Sequence, residues 1–360
     1  MGKAAELVIG DKKVKAGERV TVDLPVARLY THTSMSMPVH VVRSKREGPT
    51  LFVSAAVHGD EINGTEIIRR LLESKILKRL RGTLLAIPVV NVFGFVYGSR
   101  YLPDRRDLNR VFPGASKGSL ASQLAHLFMS EIVAHADYGI DLHTGSYHRF
   151  NLPQIRCDMG DERTAELARA FGVPVILDAT LRDGSLRQAV TEEHKIPMLL
   201  YEAGEAMRFD ETSIRAGLRG VTNVMRTIGM LPKKRSRKTV ATENALQPIV
   251  AASSSWVRAP ISGILTRPVD LGARVTKGDL LATVTDPYCD TCGEVRSEHE
   301  GIIIGRHELP LIHKGDALFH IGLPEKSVTT DISLEAFEEQ LKPMAAEPQS
   351  FPPRRRETSK

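Results

Sequence analysis

The sequence predicts an α/β protein, with a mixed, mostly parallel twisted sheet flanked by helices and a smaller all-β domain behind it. Two patterns carry this prediction. Between Thr50 and residue 230, continuous apolar segments alternate with amphipathic ones, which is typical of strands buried on both faces and of helices packed over them. After residue 250, short apolar runs are separated by Gly and Asp turns, which predicts strands without helices.

The predicted elements follow in chain order. Residues 1–50 alternate apolar and polar positions in short stretches and predict an antiparallel edge region. The apolar runs predicted as strands are LFVSAAV, TLLAIPVV, YGIDLH, VPVIL and IPMLLYEAG. The amphipathic segments predicted as helices are GTEIIRRLLESKIL, SLASQLAHLFMSEIVAHA, DERTAELARAFG and ETSIRAGLRGVTNVMRTIGM. In such folds the functional groups gather at the carboxyl ends of the strands.

The C-terminal part contains an internal duplication. Its units GILTRPVDLGARVTKGDLLATV and GIIIGRHELPLIHKGDALFHIG each begin with Gly and an apolar run, and each has a KGD turn before a final strand. This repeat predicts a small β module. We therefore expect a main domain at 1–232, which includes the N-terminal edge region, a polar linker at 233–250, the β module at 251–325 and a disordered tail at 340–360.

The composition excludes several classes of protein. The net charge of +6 comes largely from KKRSRK at 233–238 and RRR at 354–356, in the predicted linker and tail. Because no aromatic residues are interleaved there, we interpret these runs as solvated and expect no nucleic-acid partner. No apolar run reaches the roughly 18 residues of a membrane helix. The N-terminus lacks the apolar core of a secretory signal, so we expect a cytoplasmic protein without a membrane partner.

The cysteines do not form a disulfide framework, because there are only three of them. Cys289 and Cys292 form a CxxC pair, and His299 and His307 follow within twenty residues. A structural zinc site is therefore one interpretation of this pair. Two thiols in a turn of a reduced protein are the simpler interpretation.

A histidine and a carboxylate stand where the first apolar strand gives way to a helix. His58 and Glu61 are three residues apart, so both side chains face the same way if the turn is helical, and both could reach one zinc ion at about 2.0–2.2 Å. His143, after the strand YGIDLH, is the best candidate for a third ligand, with Asp141 as a carboxylate that orients its ring. The simpler interpretation of each histidine is a polar residue that ends a strand.

A carboxylate also follows the apolar run 198–201. Glu202 is costly to hold near a core unless it is paired or takes part in chemistry. Opposite a metal ion it could take a proton from water and return it to a leaving amine. A solvated residue just past the end of a strand is the alternative.

The loop SRYLPDRRDLNRVFPG is rich in arginine. It contains Arg100, Arg105, Arg106 and Arg110, with Asn109 beside the last of them. Because the arginine fork matches a carboxylate, this loop could hold an acidic substrate group, and one of its arginines could stabilise a developing oxyanion. A solvated charged loop is the alternative.

Four short motifs occur in a fixed order: HGDE, DLNR, DLH and YEAG. In this order they resemble the succinylglutamate desuccinylase/aspartoacylase family, a branch of the zinc carboxypeptidase-like hydrolases, over roughly residues 50–230 and the β module behind them. The resemblance implies a carboxypeptidase-like fold. It also implies one zinc ion per chain, bound by His58, Glu61 and His143, and activation of water by Glu202.

The same resemblance assigns roles in the arginine-rich loop. It implies that Asn109 and Arg110 hold a substrate carboxylate and that Arg100 polarises the scissile carbonyl. The gap between Arg100 and DLNR is longer than the family pattern, so Arg105 and Arg106 remain alternatives for the last role.

The β module resembles the barrel-sandwich fold of biotinyl and lipoyl carriers. Carriers present a lysine at a hairpin tip, but the corresponding hairpin here reads TDPYCDTCGE and has none. We therefore expect an unmodified module that shapes or covers the mouth of the active site or mediates homo-oligomerisation.

Together these features predict a zinc-dependent amidohydrolase that removes the acyl group from a small N-acyl amino acid or similar molecule. Gln154 and Arg156, in NLPQIR just after the third ligand, are predicted to line the substrate pocket. A metallocarboxypeptidase that acts on peptide C-termini is one alternative, because a carboxylate-binding pair serves both reactions. A non-catalytic carrier or binding protein built around the β module is the other.

Overall fold

A computed structural model describes residues 6–233, 247–266, 268–288, 290–325 and 331–341. The predicted linker at 233–250 lies outside the described residues from 234 to 246, and the predicted tail at 340–360 lies outside them from 342 onward. Cys289 also lies outside them, so neither interpretation of the CxxC pair is tested by the structure.

The described residues form strands and helices in an alternating order. The strands are β1 Leu7–Ile9, β2 Lys12–Val14, β3 Arg19–Arg28, β4 Ser34–Arg43, β5 Thr50–Ala55, β6 Thr83–Ile87, β7 Tyr138–Gly145, β8 Arg149–Cys157, β9 Val175–Asp178, β10 Met198–Glu205, β11 Ile249–Arg258, β12 Gly263–Thr266, β13 Arg274–Val275, β14 Leu280–Thr285, β15 Cys292–Arg296, β16 Gly301–His307, β17 Leu311–Ile312 and β18 Ala317–Pro324. The α-helices are α1 Asn63–Glu73, α2 Val92–Tyr97, α3 Leu120–Glu131, α4 Glu162–Phe171, α5 Leu186–His194, α6 Glu211–Thr227 and α7 Leu334–Leu341.

One twelve-stranded sheet runs through the molecule in the order β13-β16-β18-β11-β9-β8-β10-β7-β5-β6-β4-β3. Parallel pairs join β6, β5, β7 and β10, and further parallel pairs join β8, β9 and β11. The other neighbours are antiparallel, at both edges and between β10 and β8. The sheet is therefore mixed, and the prediction that it is mostly parallel is not confirmed, because hairpin-like pairs extend it on both sides.

Strand β5 shows that the middle of the sheet is buried on both faces. Leu51 and Val53 pack into an apolar cluster with α1, α4 and α6, whereas Phe52 packs into a second cluster with α2, α3 and α5. This alternation follows from the two-residue period of a strand, and it confirms the prediction made from the continuous apolar runs. Within the described part of the chain, no helix is both long enough and apolar enough to span a membrane.

All five predicted strands and four predicted helices between residues 50 and 230 are present, and three elements were missed. Helices α2 and α5 are short, and α2 contains Gly94. Strand β8 contains Pro153, which normally argues against a central strand. In the structure Pro153 lies outside every pairing register: β9 pairs with residues 154–157 of β8, and β16 pairs with residues 149–151. The proline is tolerated because it lies where one neighbouring strand replaces the other.

The duplicated units of the C-terminal part exchange strands with each other. The short β13 of the first unit pairs with β16 of the second, and the short β17 of the second pairs with β12 of the first. The four-stranded sheet β15-β14-β12-β17 packs against strands β13-β16-β18-β11 of the twelve-stranded sheet, and the two enclose an apolar core that includes Val284 and Phe319. The predicted start of the module at residue 251 falls inside β11, which joins β9 directly, while β16 joins β8. The module therefore continues the central sheet.

Candidate functional site

The turn after β5 positions the first two site residues. The backbone N–H of Glu61 donates to the carbonyl of His58 at 3.1 Å, which closes the turn just before α1. Gly59 allows this turn to sit against α2, because a Cβ at this position would lie 2.0 Å from the carbonyl carbon of Gly94. His58 and Glu61 are both buried.

Three buried side chains converge at the carboxyl ends of β5 and β7. The Nδ1 atom of His58 lies 2.7 Å from Oε1 of Glu61, and the Nδ1 atom of His143 lies 2.8 Å from its Oε2. One ligand atom from each residue lies within 4.8 Å of the others, which makes this a group able to hold a metal ion. The structure thus brings together the three residues that sequence reasoning selected.

Each imidazole is oriented by a second carboxylate. The Nε2 atom of His143 lies 2.6 Å from Asp141, which in turn accepts a hydrogen bond from the Ser54 hydroxyl at 2.7 Å. The Nε2 atom of His58 lies 3.1 Å from Asp107. Such carboxylate–histidine pairs are typical of metal sites, because they fix the ring so that the other nitrogen faces the ion. Sequence reasoning found Asp141 but missed Asp107, which lies in the DLNR motif.

The electrostatics of the cluster favour a cation. Burial works to lower the pKa of both His58 and His143, yet the surrounding carboxylates raise each pKa above its ordinary value. Burial works to raise the pKa of Glu61, but the two imidazoles hold it well below its usual range. Positive charge is therefore stabilised between these groups, and the two-nitrogen, one-carboxylate donor set fits a divalent ion such as zinc.

Glu202 lies on β10, beside the third ligand. In the parallel register of β10 and β7, Glu202 is the partner of His143. Its Oε2 atom accepts a hydrogen bond from Asn151 at 2.8 Å and pairs with Arg156 at 2.9 Å. Among the described residues, no donor to its Oε1 atom is present, so one oxygen of the carboxylate is held and the other faces no protein partner.

The arginine-rich loop contributes some of its members to the same place. Arg100 donates to Asp107 at 2.9 Å and to Glu61 at 3.3 Å, so it lies beside the ligand cluster. Arg106 instead pairs with Asp104 and is 57% exposed. Neither Arg105 nor Arg106 lines the cavity at the site, which favours Arg100 over these two alternatives.

Asn109 and Arg110 also line this cavity. The side-chain oxygen of Asn109 accepts a hydrogen bond from the backbone N–H of Leu186 at 2.9 Å, which ties the loop to the start of α5. Arg110 donates to the carbonyl of Asn109. Hydrogen bonds to backbone groups therefore hold both side chains in place.

A single cavity of about 480 Å³ contains the cluster and these side chains. Its wall includes residues that sequence reasoning did not select, namely Arg149, Arg182, Arg187, Ser253, Ser254 and Trp256. The last three lie on β11 of the C-terminal module, so only the folded pairing of β11 with β9 brings them here.

Gln154 does not belong to the wall of the cavity, although we predicted that it lines the pocket. Its side chain is fully buried and donates to the carbonyl of Ile304 at 3.2 Å, between β8 and β16. Strand alternation does not separate the two residues, because Gln154 and Arg156 are two positions apart on β8 and Glu202 is the cross-strand neighbour of Gln154. The hydrogen bond to Ile304 instead holds the Gln154 side chain toward β16. Arg156 does line the cavity, as predicted, and its guanidinium is paired with Glu202.

Comparison with known proteins assigns the family. Residues 47–228 match the model of the succinylglutamate desuccinylase/aspartoacylase catalytic domain. The chain belongs to this family. The matched range contains all of the site residues described above except those of β11, and it confirms the resemblance predicted from the four ordered motifs.

This family member is similar to proteins with described activities and structures. It is 27% identical over 294 residues to the N-alpha-acetyl-L-2,4-diaminobutyric acid deacetylase of Halomonas elongata, covering 79% of this chain and 85% of that protein. The product-bound structure of the ectoine utilization protein EutE (DoeB) from Ruegeria pomeroyi is 25% identical, with a TM-score of 0.75, covering 86% of this chain and 96% of that one. A succinylglutamate desuccinylase/aspartoacylase structure from Rhodobacter sphaeroides is also 25% identical, with a TM-score of 0.74, covering 86% of this chain and 97% of that one.

Proposed function

We propose that this chain is a zinc-dependent amidohydrolase that removes the acyl group from a small N-acyl amino acid. One observation carries the proposal: a single cavity is lined by the His58, Glu61 and His143 cluster, by Glu202 with one unpartnered oxygen, and by the Asn109–Arg110 pair. The family membership and the deacetylase relative support the same reaction class.

Three residues would hold the zinc ion: His58, Glu61 and His143. When bound, zinc supplies Lewis-acid chemistry that polarises a carbonyl group and lowers the pKa of water. Asp107 and Asp141 keep the two imidazoles turned toward the shared carboxylate, so the donor set is ordered before a metal ion arrives.

The protein's own groups then move the proton. The free oxygen of Glu202 accepts a proton from the attacking water and donates it to the departing amine. Asn151 and Arg156 hold the other oxygen, which keeps the free one pointed at the reaction centre. Arg100, next to Glu61, stabilises the negative charge that develops on the amide oxygen.

The carboxylate of the substrate binds Arg110, with Asn109 beside it. Arg110 makes no ion pair with the described residues, and the one hydrogen bond that its guanidinium makes with them is to the neighbouring Asn109 carbonyl. A substrate carboxylate therefore finds an arginine whose charge is not yet neutralised. The β11 residues Ser253 and Trp256 support a role of the C-terminal module in shaping this active site.

The first test uses the metal and the general base together. We expect about one zinc ion per purified chain, retained by Glu202→Gln and lost in His143→Ala, as measured by metal analysis. Glu202→Gln should lower kcat on N-acyl amino acids roughly 10²–10⁴-fold, because it removes the group that accepts the proton. The exposed Glu193→Gln variant serves as the matched control and should keep full activity.

A substrate panel separates this proposal from its carboxypeptidase alternative. Release of the free amino acid from N-acyl amino acids supports deacylation. Release of the C-terminal residue from unblocked peptides, with no action on N-acyl amino acids, would replace the proposed reaction by peptide hydrolysis.

A further inference from the structure

The C-terminal module contacts the catalytic sheet at the position of Asn151. Strand β16 of the module pairs with β8, and in this register Gly305 is the partner of Asn151. On its other edge β8 pairs with β10, where Asn151 is the partner of Gly204, two residues after Glu202. Asn151 therefore lies between the module and the strand that carries the proposed general base.

Two hydrogen bonds fix the distance between β16 and β8, one on each side of this contact. On one side, the Gln154 side chain donates to the carbonyl of Ile304 at 3.2 Å. On the other side, the backbone N–H of Glu308 donates to the carbonyl of His148 at 2.8 Å. Neither bond involves Asn151, so the spacing of the two strands is set independently of its side chain.

Asn151 is the more enclosed of the two side chains that hold Glu202. Its Nδ2 atom donates to Oε2 of Glu202 at 2.8 Å, and the guanidinium of Arg156 pairs with the same oxygen at 2.9 Å. Asn151 is 5% exposed, whereas the longer side chain of Arg156 is 26% exposed and has more rotatable bonds. The orientation of the general base therefore depends strongly on where the Asn151 amide is held.

The absence of a side chain at Gly305 leaves the space that this amide occupies. A Cβ atom at Gly305 would lie 2.8 Å from Oδ1 of Asn151, which is closer than non-bonded contact allows. The φ angle of Gly305 is not in the left-handed region, so the backbone conformation does not itself call for glycine. Close approach to Asn151 is the feature that a larger residue would disturb.

A side chain at position 305 cannot be accommodated by a shift of β16 alone. The strand is paired with His320 of β18 on its other edge, and the added Cβ would lie 3.2 Å from the Cβ of His320. The third nearest atom is the backbone carbonyl oxygen of Phe150, at 3.6 Å. Of these three atoms only Oδ1 of Asn151 is at the end of a rotatable side chain, so the Asn151 amide is the group that moves.

We propose that Gly305 is a positioning residue for the general base. It lets β16 approach β8 closely, and this approach holds the Asn151 amide against Glu202. The C-terminal module thereby acts on the chemical step through a residue that does not line the cavity, in addition to the wall that β11 contributes. This inference rests on the proposed deacylase function.

Gly305→Ala tests the proposal on the zinc-loaded full chain. Because a displaced amide releases one of the two restraints on Glu202, we expect kcat to fall roughly 10-fold or more, with KM changed less than about 3-fold. The substrate is the N-acyl amino acid that the wild-type protein hydrolyses fastest. Zinc content and the midpoint of urea unfolding should stay near the wild-type values, because rotation of the amide relieves the contact.

Gly322→Ala is the matched control within the same module. A Cβ at Gly322 would lie 3.2 Å from Ile304 and 3.3 Å from Ala251, so it crowds the module without reaching Asn151. Its kcat should stay within about 3-fold of the wild-type value. An unchanged kcat in Gly305→Ala, or an equal loss in Gly322→Ala, overturns the positioning role.

A double-mutant cycle separates positioning from a general disturbance of the module. Asn151→Ala should lower kcat by a factor similar to that of Gly305→Ala, because both remove the same restraint on Glu202. In the Asn151→Ala chain there is no amide left to displace, so adding Gly305→Ala should lower kcat by less than about 2-fold more. Two losses that multiply would show that Gly305 acts by another route, which overturns the proposal.

Crystal structures of the wild-type protein and of Gly305→Ala give a readout that does not depend on turnover. The distance between Nδ2 of Asn151 and Oε2 of Glu202, 2.8 Å here, should exceed about 3.5 Å in the variant. If the wild-type protein hydrolyses no N-acyl compound, the proposed function fails, and the positioning role is judged by this distance. An intact hydrogen bond between Asn151 and Glu202 in Gly305→Ala overturns it.

Discussion

At the scale of single residues, the free oxygen of Glu202 depends on the side chains that hold its other oxygen. Asn151 and Arg156 both contact Oε2, at 2.8 and 2.9 Å, so the carboxylate has one defined orientation. Glu202 is 17% exposed, and without a partner its carboxylate would be free to turn toward water. We therefore propose that Arg156 positions Glu202, in addition to the pocket-lining role predicted from the sequence.

Replacing Arg156 distinguishes positioning from substrate binding. Arg156→Met should lower kcat on N-acyl amino acids roughly 10-fold or more while KM changes little, because the loss concerns an interaction that orients the base. Steady-state kinetics of the zinc-loaded variant provide the measurement, with Arg163→Met as the control, because Arg163 lies on α4 and outside the cavity wall. A raised KM at unchanged kcat would show instead that Arg156 binds substrate.

The residues that the sequence could and could not identify differ in how far they depend on tertiary structure. His58, His143 and Glu202 each follow an apolar strand, so the strand pattern made them candidates for one site at the carboxyl ends of the strands, and the resemblance of the four motifs gave them their predicted roles. Arg149 and Trp256 gave no such signal, because their contact exists only after β11 has joined the sheet.

At the scale of elements, the close packing of α6 against α4 depends on Gly220. A Cβ at Gly220 would lie 2.0 Å from the ring of Phe171, which is itself buried and stacked on Tyr201 at 5.1 Å. The ring is therefore not free to move aside. The amphipathic pattern predicted both helices correctly, but it did not reveal which position would be the point of contact.

Gly220→Ala should consequently destabilise the protein. Alanine is favoured over glycine in a helix by about 1 kcal/mol, but overpacking a buried contact costs about 1–3 kcal/mol, and the immobile ring places this site at the upper end. We expect a net loss of about 1–2 kcal/mol in the free energy of unfolding, measured by urea denaturation. Thr227→Ala, at the exposed end of the same helix, is the control, and an equal or greater stability of Gly220→Ala would contradict the packing argument.

At the scale of the whole molecule, one twelve-stranded sheet runs through both predicted domains, and the predicted boundary at residue 251 lies inside one of its strands, β11. The change in sequence pattern near residue 250 correctly predicted the strands of the β module, but it missed helix α7, which follows the module. The duplicated units correspond to the strands that pair reciprocally. The pattern could not predict that β11 and β16 pair with β9 and β8, because register between distant strands is set by packing that local sequence does not encode.

This continuity predicts that the C-terminal module unfolds together with the main domain, residues 1–232. Trp256, on β11, reports on the module by fluorescence, whereas far-UV circular dichroism reports mainly on helices α1 to α6 of the main domain. Because the apolar side chains of Leu152 and Val175 are buried together with Ile302 and Ile304 of β16, loss of the module exposes the edge of the catalytic sheet to water. The two signals should therefore follow one urea transition with the same midpoint. A fluorescence transition that is complete before the helices melt would show that the module folds and unfolds by itself. The shared sheet would then be too weak to couple the unfolding of the module to that of the main domain.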